Sequence, residues 1–147
     1  MTERLDDPVR RDADTECGVV LLDRDLREIH RARDWMESFW HDRIDRRQLD
    51  DACLVISELV TNALRRGLGD VVVGTSATED DGVRVAVTDW SEDRPRMVNA
   101  NGLQIGGVGL KVVDHVSTTW GIAPFPGGKT VWAIIDAPRQ PSEATGR

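Results

Sequence analysis

The chain has 147 residues, of which 39% are hydrophobic and 31% charged, and its formal net charge is -7. This length suits one domain with its own core and is too short for two domains of ordinary size. The excess of acidic residues argues against a general nucleic-acid-binding surface, because such a surface needs clustered Lys and Arg to displace counterions. We therefore expect a soluble globular domain that does not bind nucleic acid directly.

The two cysteines, Cys17 and Cys53, lie far apart, and neither has a Cys or His beside it at the spacing of a metal site. A disulfide between them is not needed. No stretch is long and apolar enough to span a membrane, and the N-terminus lacks the apolar core of an export signal. We expect a cytoplasmic protein without a membrane anchor.

The first half of the chain predicts a tail, a strand and two helices. Residues 1–15 are charged and have no hydrophobic period, which predicts a disordered tail. The apolar run at residues 17–22 predicts the first strand. Apolar residues at helical spacing predict a helix from residue 26 to about 41. After a charged turn at residues 42–47, a longer helix is predicted from about residue 48 to 66.

From residue 70 onward the pattern predicts two strands joined by an Asp-Gly hairpin turn, a loop without a period, a short helix after a glycine run, and a last strand. In that order the elements occupy residues 70–77, 83–89, 92–105, 110–116 and 131–135. A loop as long as the one at 92–105 is usually functional or disordered. Residues 138–147 are polar, so we place one domain at residues 16–137 between two tails.

The long helix has an apolar stripe and a polar side with two chemically useful residues. The stripe is formed by Leu49, Ala52, Ile56, Val60 and Ala63. Glu58 and Asn62 lie opposite, one turn apart, where both can reach a single ligand. A carboxylate can accept a proton, and an amide oxygen suits a magnesium ion that carries phosphates. The alternative is an ordinary solvated helix face.

Asp89 ends the strand whose valines at 83, 85 and 87 alternate, and it falls on the same buried face. A carboxylate at the end of a buried row is costly unless it is paired, so we expect a specific hydrogen-bonding partner for it. The alternative to a functional role is that Asp89 caps the turn that follows, as is common in Asp-x-Ser sequences.

Two glycine runs invite a phosphate-binding interpretation. Residues 106–109, Gly-Gly-Val-Gly, precede a predicted helix, whose free N–H groups favour an anion; the alternative is a flexible turn. Residues 127–130, Gly-Gly-Lys-Thr, are not a P-loop, because Ala123 stands where its first glycine is required and a strand follows where a helix is required.

Taken in order, these segments resemble the nucleotide-binding boxes of the GHKL ATPase superfamily. The detailed likeness is to short anti-sigma regulatory serine kinases of the type common in actinobacteria, and it runs from about residue 26 to 135. The segments that carry it are Glu-Leu-Val-Thr-Asn-Ala at 58–63, Asp-Trp-Ser at 89–91, Gly-Val-Gly-Leu at 107–110, Thr-Trp-Gly at 119–121 and Gly-Lys-Thr-Val-Trp-Ala at 128–133.

The resemblance implies a Bergerat fold, an α+β two-layer sandwich with a mixed, mainly antiparallel sheet and helices on one face. It implies ATP and magnesium as cofactors, with Asn62 coordinating the magnesium ion. Glu58 is implied to act as a base for, or to orient, the attacking hydroxyl. The loop at residues 92–105 corresponds to the ATP lid of the family.

The remaining site residues are also implied by the resemblance. Asp89 accepts a hydrogen bond from the adenine amino group, and Thr130 helps to hold adenine, directly or through water. The backbones of Gly107 and Gly109 cradle phosphate. Leu110 completes the same box and belongs to the implied nucleotide-binding set.

The family's activity implies a serine/threonine protein kinase that regulates transcription. Such a kinase binds a sigma factor and phosphorylates a small antagonist protein, and it is typically a homodimer. Two other interpretations remain open: a nucleotide-binding interaction module without kinase activity, and a stand-alone ATPase. The presence of both Glu58 and Asn62 favours catalysis over binding alone.

Overall fold

The structure is a computed structural model that describes residues 17–66, 68–91 and 108–138, with the backbone alone at residues 108 and 109. The predicted tail at 1–15, the predicted loop at 92–105 and nearly all of the predicted tail at 138–147 lie outside these residues. In chain order the elements are β1 (Cys17–Leu22), α1 (Glu28–Trp40), α2 (Arg46–Arg66), β2 (Val71–Ala77), β3 (Val83–Asp89), α3 (Val108–Val116), β4 (Thr119–Phe125) and β5 (Gly128–Ile135).

The five strands form one sheet in the order β1-β2-β3-β5-β4. All four pairings between these strands are antiparallel. The nonpolar residues of the helices pack against one face of the sheet, and together they form a single core. The predicted α+β sandwich with helices on one face is therefore confirmed, and the sheet, which was expected to be mixed and mainly antiparallel, is antiparallel at every pairing of the described strands.

Helix α2 begins at Arg46, two residues before the predicted start. The reason is the side chain of Asp45, whose Oδ2 accepts hydrogen bonds from the backbone N–H of Arg47 at 2.8 Å and of Gln48 at 3.4 Å. A carboxylate in this position caps the helix by satisfying N–H groups that have no partner inside it. The charged turn predicted at residues 42–47 thus contains the first two residues of the helix.

Strand β4 was not predicted, because it lacks a clean alternation of polar and apolar residues and contains Gly121 and Pro124. It lies at the edge of the sheet, where proline is tolerated since no second neighbour needs its missing N–H. Gly121 is required by packing: a Cβ there would lie 2.7 Å from the Trp132 ring. Pairing with β4 also extends β5 back to Gly128, three residues before the predicted start.

The core confirms both hydrophobic patterns of the sequence. The five residues of the predicted apolar stripe on α2 are all at most 3% exposed, and the alternating valines of β3 at most 2%. Trp40 of α1 is buried against the same sheet face, and its Nε1–H donates to Thr75 Oγ1 at 3.0 Å. Since the polar atom of this large side chain has a partner, the whole residue contributes to the core.

The C-terminal end of α2 is held by Arg24, which follows β1. Its guanidinium donates to the backbone oxygens of Leu64 at 2.6 Å, Ala63 at 3.3 Å and Gly69 at 3.0 Å. The carbonyls of Ala63 and Leu64 are among the last four of the helix, which have no partner within it, and a cation there also complements the helix dipole. The helix segment that carries Glu58 and Asn62 is therefore anchored on both sides, by the core and by this cap.

Cys53 of α2 is a core residue, 4% exposed. Burial, followed by the nearby charge of Glu37, raises the pKa of its thiol to about 11. Cys17 is exposed. At pH 8 we expect iodoacetamide to label Cys17 and to react with Cys53 roughly 100-fold more slowly, because the thiolate is the reactive form. Mass spectrometry of the labelled peptides measures both rates, and equal rates in the folded protein would contradict the prediction.

Two further results check the same assignment. Protein unfolded in urea should label at both cysteines at similar rates. The folded-state pKa lies above the unfolded value of 9.0, so the thiol's contribution to stability is complete below pH 9 and is lost as the pH rises towards about 11.

Among the described residues, none of the helices has the length and apolar character needed to cross a membrane.

Candidate functional site

Glu58 and Asn62 lie one turn apart on α2, and both are half-buried. Neither belongs to the apolar stripe that faces the sheet. Within the described part of the chain, the Glu58 carboxylate has no hydrogen-bond or ion-pair partner. A half-buried carboxylate without a protein partner remains available to accept a proton from a bound group.

The amide of Asn62 has a buried end without a partner. Its Nδ2 atom is shielded from solvent and makes no hydrogen bond to the described residues. A buried donor left unpaired costs about 1–3 kcal/mol, so a ligand that pairs with it recovers that free energy. The two ends of an amide are assigned from hydrogen bonding rather than seen directly. In either orientation, this position fits a group that combines anionic oxygens with a cation.

Asp89 forms a buried ion pair at the end of β3. Lys129 Nζ lies 3.0 Å from Oδ1 and 2.9 Å from Oδ2. The side chains are 4% and 6% exposed for Asp89 and Lys129, respectively. Oδ1 also accepts the backbone N–H of Ser91 at 2.8 Å. The predicted specific partner exists, and the turn-capping interaction that was the alternative for Asp89 is present as well.

Lys129 is the residue that the sequence analysis missed. It lies directly opposite Asp89 in the antiparallel pairing of β3 with β5. The signal was present in the sequence, since Lys129 falls two residues before Val131 in the alternating row that continues with Ala133 and Ile135. In a strand such a row shares one face, here the buried one.

Thr130 faces the other way. Its Oγ1 lies 2.6 Å from Thr88 Oγ1, its partner across the strands, on the sheet face opposite to the helices. Since successive side chains of a strand point to opposite faces, Asp89 and Thr130 do not share a face. The structure brings Asp89 together with Lys129 and does not bring it together with the Thr130 hydroxyl.

A family model described as the histidine kinase-like ATPase domain matches residues 22–135. The chain belongs to this family. The match confirms the resemblance that the ordered motifs indicated, and it covers α1 to α3 and β2 to β5 in full but only the last residue of β1. No curated protein sequence matches the chain.

Solved structures similar to this histidine kinase-like ATPase domain include the following two. One is the crystal structure of the RsbU and RsbW domains of Rv1364c from Mycobacterium tuberculosis, with 20% identity and a TM-score of 0.66. The match covers 85% of this chain and 33% of that one. The other is the histidine kinase domain of a blue-light-activated histidine kinase from Erythrobacter litoralis EL346. It has 18% identity and a TM-score of 0.48, and the match covers 75% of this chain and 63% of that one.

The residues expected to cradle phosphate lie at or before the start of α3. Gly107 lies outside the described residues. Helix α3 begins at Val108, which makes Gly109 its second residue. Leu110 is fully buried in the core of the domain. A helix start offers unpaired N–H groups to an anion, and Leu110 fixes that start by packing.

The chemistry of the donor set fits a magnesium–nucleotide group in this histidine kinase-like ATPase domain. Among the described residues, no three His, Cys, Asp or Glu side chains come together as a metal cluster. Magnesium bound with a nucleotide typically needs only one or two protein oxygens, because phosphates and water supply the rest. Asn62 can supply such an oxygen.

Proposed function

We propose that this domain binds ATP with magnesium and transfers the γ-phosphoryl group to a serine or threonine hydroxyl of a protein. The observation that carries the proposal is the unpartnered, buried amide nitrogen of Asn62, one turn from a carboxylate that also has no partner among the described residues. Phosphoryl transfer depends mainly on positioning and charge neutralisation, so one polar ligand and one proton acceptor on a rigid helix are sufficient.

Each residue has a distinct role in this mechanism. Asn62 would hold the magnesium ion, which supplies positive charge to the phosphate oxygens when it is bound. Glu58 would orient the attacking hydroxyl and accept its proton. Asp89 would accept a hydrogen bond from the amino group of adenine. The backbone at Gly107 and Gly109 would contact phosphate. The position of Thr130 on the opposite sheet face supports leaving its side chain out of the adenine site.

The motif resemblance supports a finer form of the proposal. The partner would be a sigma factor, the phosphate acceptor would be a small antagonist protein, and the kinase would be a homodimer that acts in the cytoplasm. The structural match to a chain with RsbU and RsbW domains supports the fold on which this proposal rests.

One observation favours a second candidate, an interaction module without kinase activity. Both oxygens of Asp89 already have partners in the protein. A protein that regulates its partner by contact alone needs no transfer chemistry. Titration with ATP and with GTP in the presence of magnesium, followed by calorimetry, tests the nucleotide site. Binding of neither nucleotide would overturn the kinase proposal.

For phosphotransfer, the decisive variant is Glu58→Gln. The change keeps the size of the side chain and removes the proton acceptor, so we expect ATP affinity to stay within about threefold of the wild-type value. Transfer should fall by roughly 100-fold or more, in line with the usual contribution of a general base. The readout is ³²P transfer from γ-labelled ATP to a panel of purified sigma-factor antagonists.

Glu79→Gln is the matched control, because Glu79 is exposed in the β2–β3 turn. It should leave both ATP binding and transfer unchanged. Transfer at the wild-type rate by Glu58→Gln would remove Glu58 from the mechanism.

A further inference from the structure

Lys129 is a buried charged residue that the proposed mechanism does not use. Lysine is rarely buried without a specific reason, and Lys129 is only 5% exposed. It lies opposite Asp89 at the strand ends that the proposed mechanism assigns to adenine. Its role toward a ligand can be worked out from the hydrogen-bonding capacity of the two side chains.

The ion pair leaves one donor and one acceptor position available. A lysine ammonium has three N–H donors, and the two carboxylate oxygens of Asp89 take two of them. In the described part of the chain the third has no acceptor. On the carboxylate, Oδ1 accepts from both Ser91 N and Lys129, whereas the one donor to Oδ2 among the described residues is Lys129. Since each carboxylate oxygen has about two acceptor positions, one remains on Oδ2.

An available acceptor therefore lies next to an available donor, with the parent atoms Oδ2 and Nζ 2.9 Å apart. Adenine presents the complementary pattern, because its amino group is a donor flanked by two ring acceptors, N1 and N7. A carboxylate alone can meet only the amino group. The lysine adds a charged donor for the neighbouring ring nitrogen, and in a buried position such a bond is strong.

We propose that Lys129 is a base-reading residue, which donates to the ring nitrogen beside the amino group of adenine while Asp89 accepts from that amino group. This inference rests on the proposed ATP binding and adds a residue to it. It assigns recognition of the base to a pair on β3 and β5 rather than to the carboxylate alone. The ligand class is a nucleotide whose base offers a donor and an acceptor side by side.

The test compares ATP, which has both ring acceptors, with 1-deaza-ATP, which lacks N1, and 7-deaza-ATP, which lacks N7. Calorimetry with magnesium measures their affinities for the wild-type protein and for Lys129→Met, which has an unbranched, uncharged side chain. The wild type should bind one deaza analogue about 10- to 100-fold more weakly than ATP, the usual effect of a hydrogen bond to a charged group. Lys129→Met should bind ATP and that analogue with affinities within about twofold of each other. The analogue that loses affinity identifies N1 or N7 as the acceptor.

Equal affinity of the wild type for all three nucleotides would overturn this inference and leave the proposed function standing. Absence of ATP binding would overturn both. Tighter ATP binding by Lys129→Met would show that the ammonium competes with the base for Asp89, which also overturns the inference. Circular dichroism establishes the temperature range in which Lys129→Met is folded, and all affinities are compared within that range.

Discussion

Replacing Asn62 by alanine should remove magnesium-dependent ATP binding and leave the free protein at least as stable as the wild type. The buried Nδ2 of Asn62 has no partner in the described structure, so its removal takes away a desolvation cost of about 1–3 kcal/mol. Alanine is also the better helix former. In the complex, however, the amide would contact charged groups, and its loss should weaken ATP binding by about 100-fold or more.

Thermal unfolding with and without magnesium ATP separates the two effects. The wild type should gain stability when the nucleotide is added, since a ligand that binds only the folded state stabilises it. Asn62→Ala should show an equal or higher unfolding temperature without nucleotide and no increase with it. Calorimetry then gives the affinity directly.

Asp51→Ala provides the matched control. Asp51 lies on the same helix, 11 residues before Asn62, which places it on nearly the same side and about 16 Å away along the axis. Asp and Asn have similar helix propensities, so the intrinsic gain from alanine is comparable. This control should bind ATP normally. ATP affinity that is unchanged in Asn62→Ala would remove Asn62 from the site.

The second large effect concerns stability and arises at Asp89. The change Asp89→Asn leaves Lys129 as a buried charge without its counterion. Breaking a buried ion pair from one side typically costs about 3–5 kcal/mol, which for a domain of this size lowers the unfolding temperature by roughly 10–20 °C. Urea unfolding followed by circular dichroism measures the free-energy change. A loss below about 1 kcal/mol would contradict the assignment of a buried pair.

The double variant Asp89→Leu with Lys129→Met tests the origin of that loss. Replacing both partners of a buried ion pair by apolar residues of similar size is often neutral. We therefore expect the double variant to recover most of the stability that either single change loses, while still failing to bind ATP. The stability loss of Asp89→Asn also affects binding experiments. Loss of ATP binding in that variant reports on adenine recognition only at a temperature where the variant is folded.

Much of the fold could be predicted because its patterns are local. The apolar stripe of α2 continues over several turns, and the valines of β3 alternate without interruption, so the type and buried face of both elements follow from periodicity. Strand β1 was predicted with its observed ends. The family was recognisable because several short motifs occur in a fixed order, and the match of residues 22–135 confirms it.

Other features depend on pairing between distant parts of the chain. Strand β4 carries Gly121 and Pro124 and has no period of its own, and it exists because β5 offers it a hydrogen-bonding edge. The early start of α2 depends on the side chain of Asp45, which the sequence presented only as part of a charged turn.

By itself, the sequence determined the α+β class, the family, and the placement of Glu58 and Asn62 on one side of a helix, because these follow from residue spacing along one element. Only the tertiary structure decided which residues meet across the sheet. The register of β3 against β5 sets Lys129 against Asp89 and turns Thr130 to the opposite face. The alternating apolar row of β5 indicates the face that Lys129 shares, but the residue of β3 that lies opposite it depends on the register, which the packing of the helices against one face fixes.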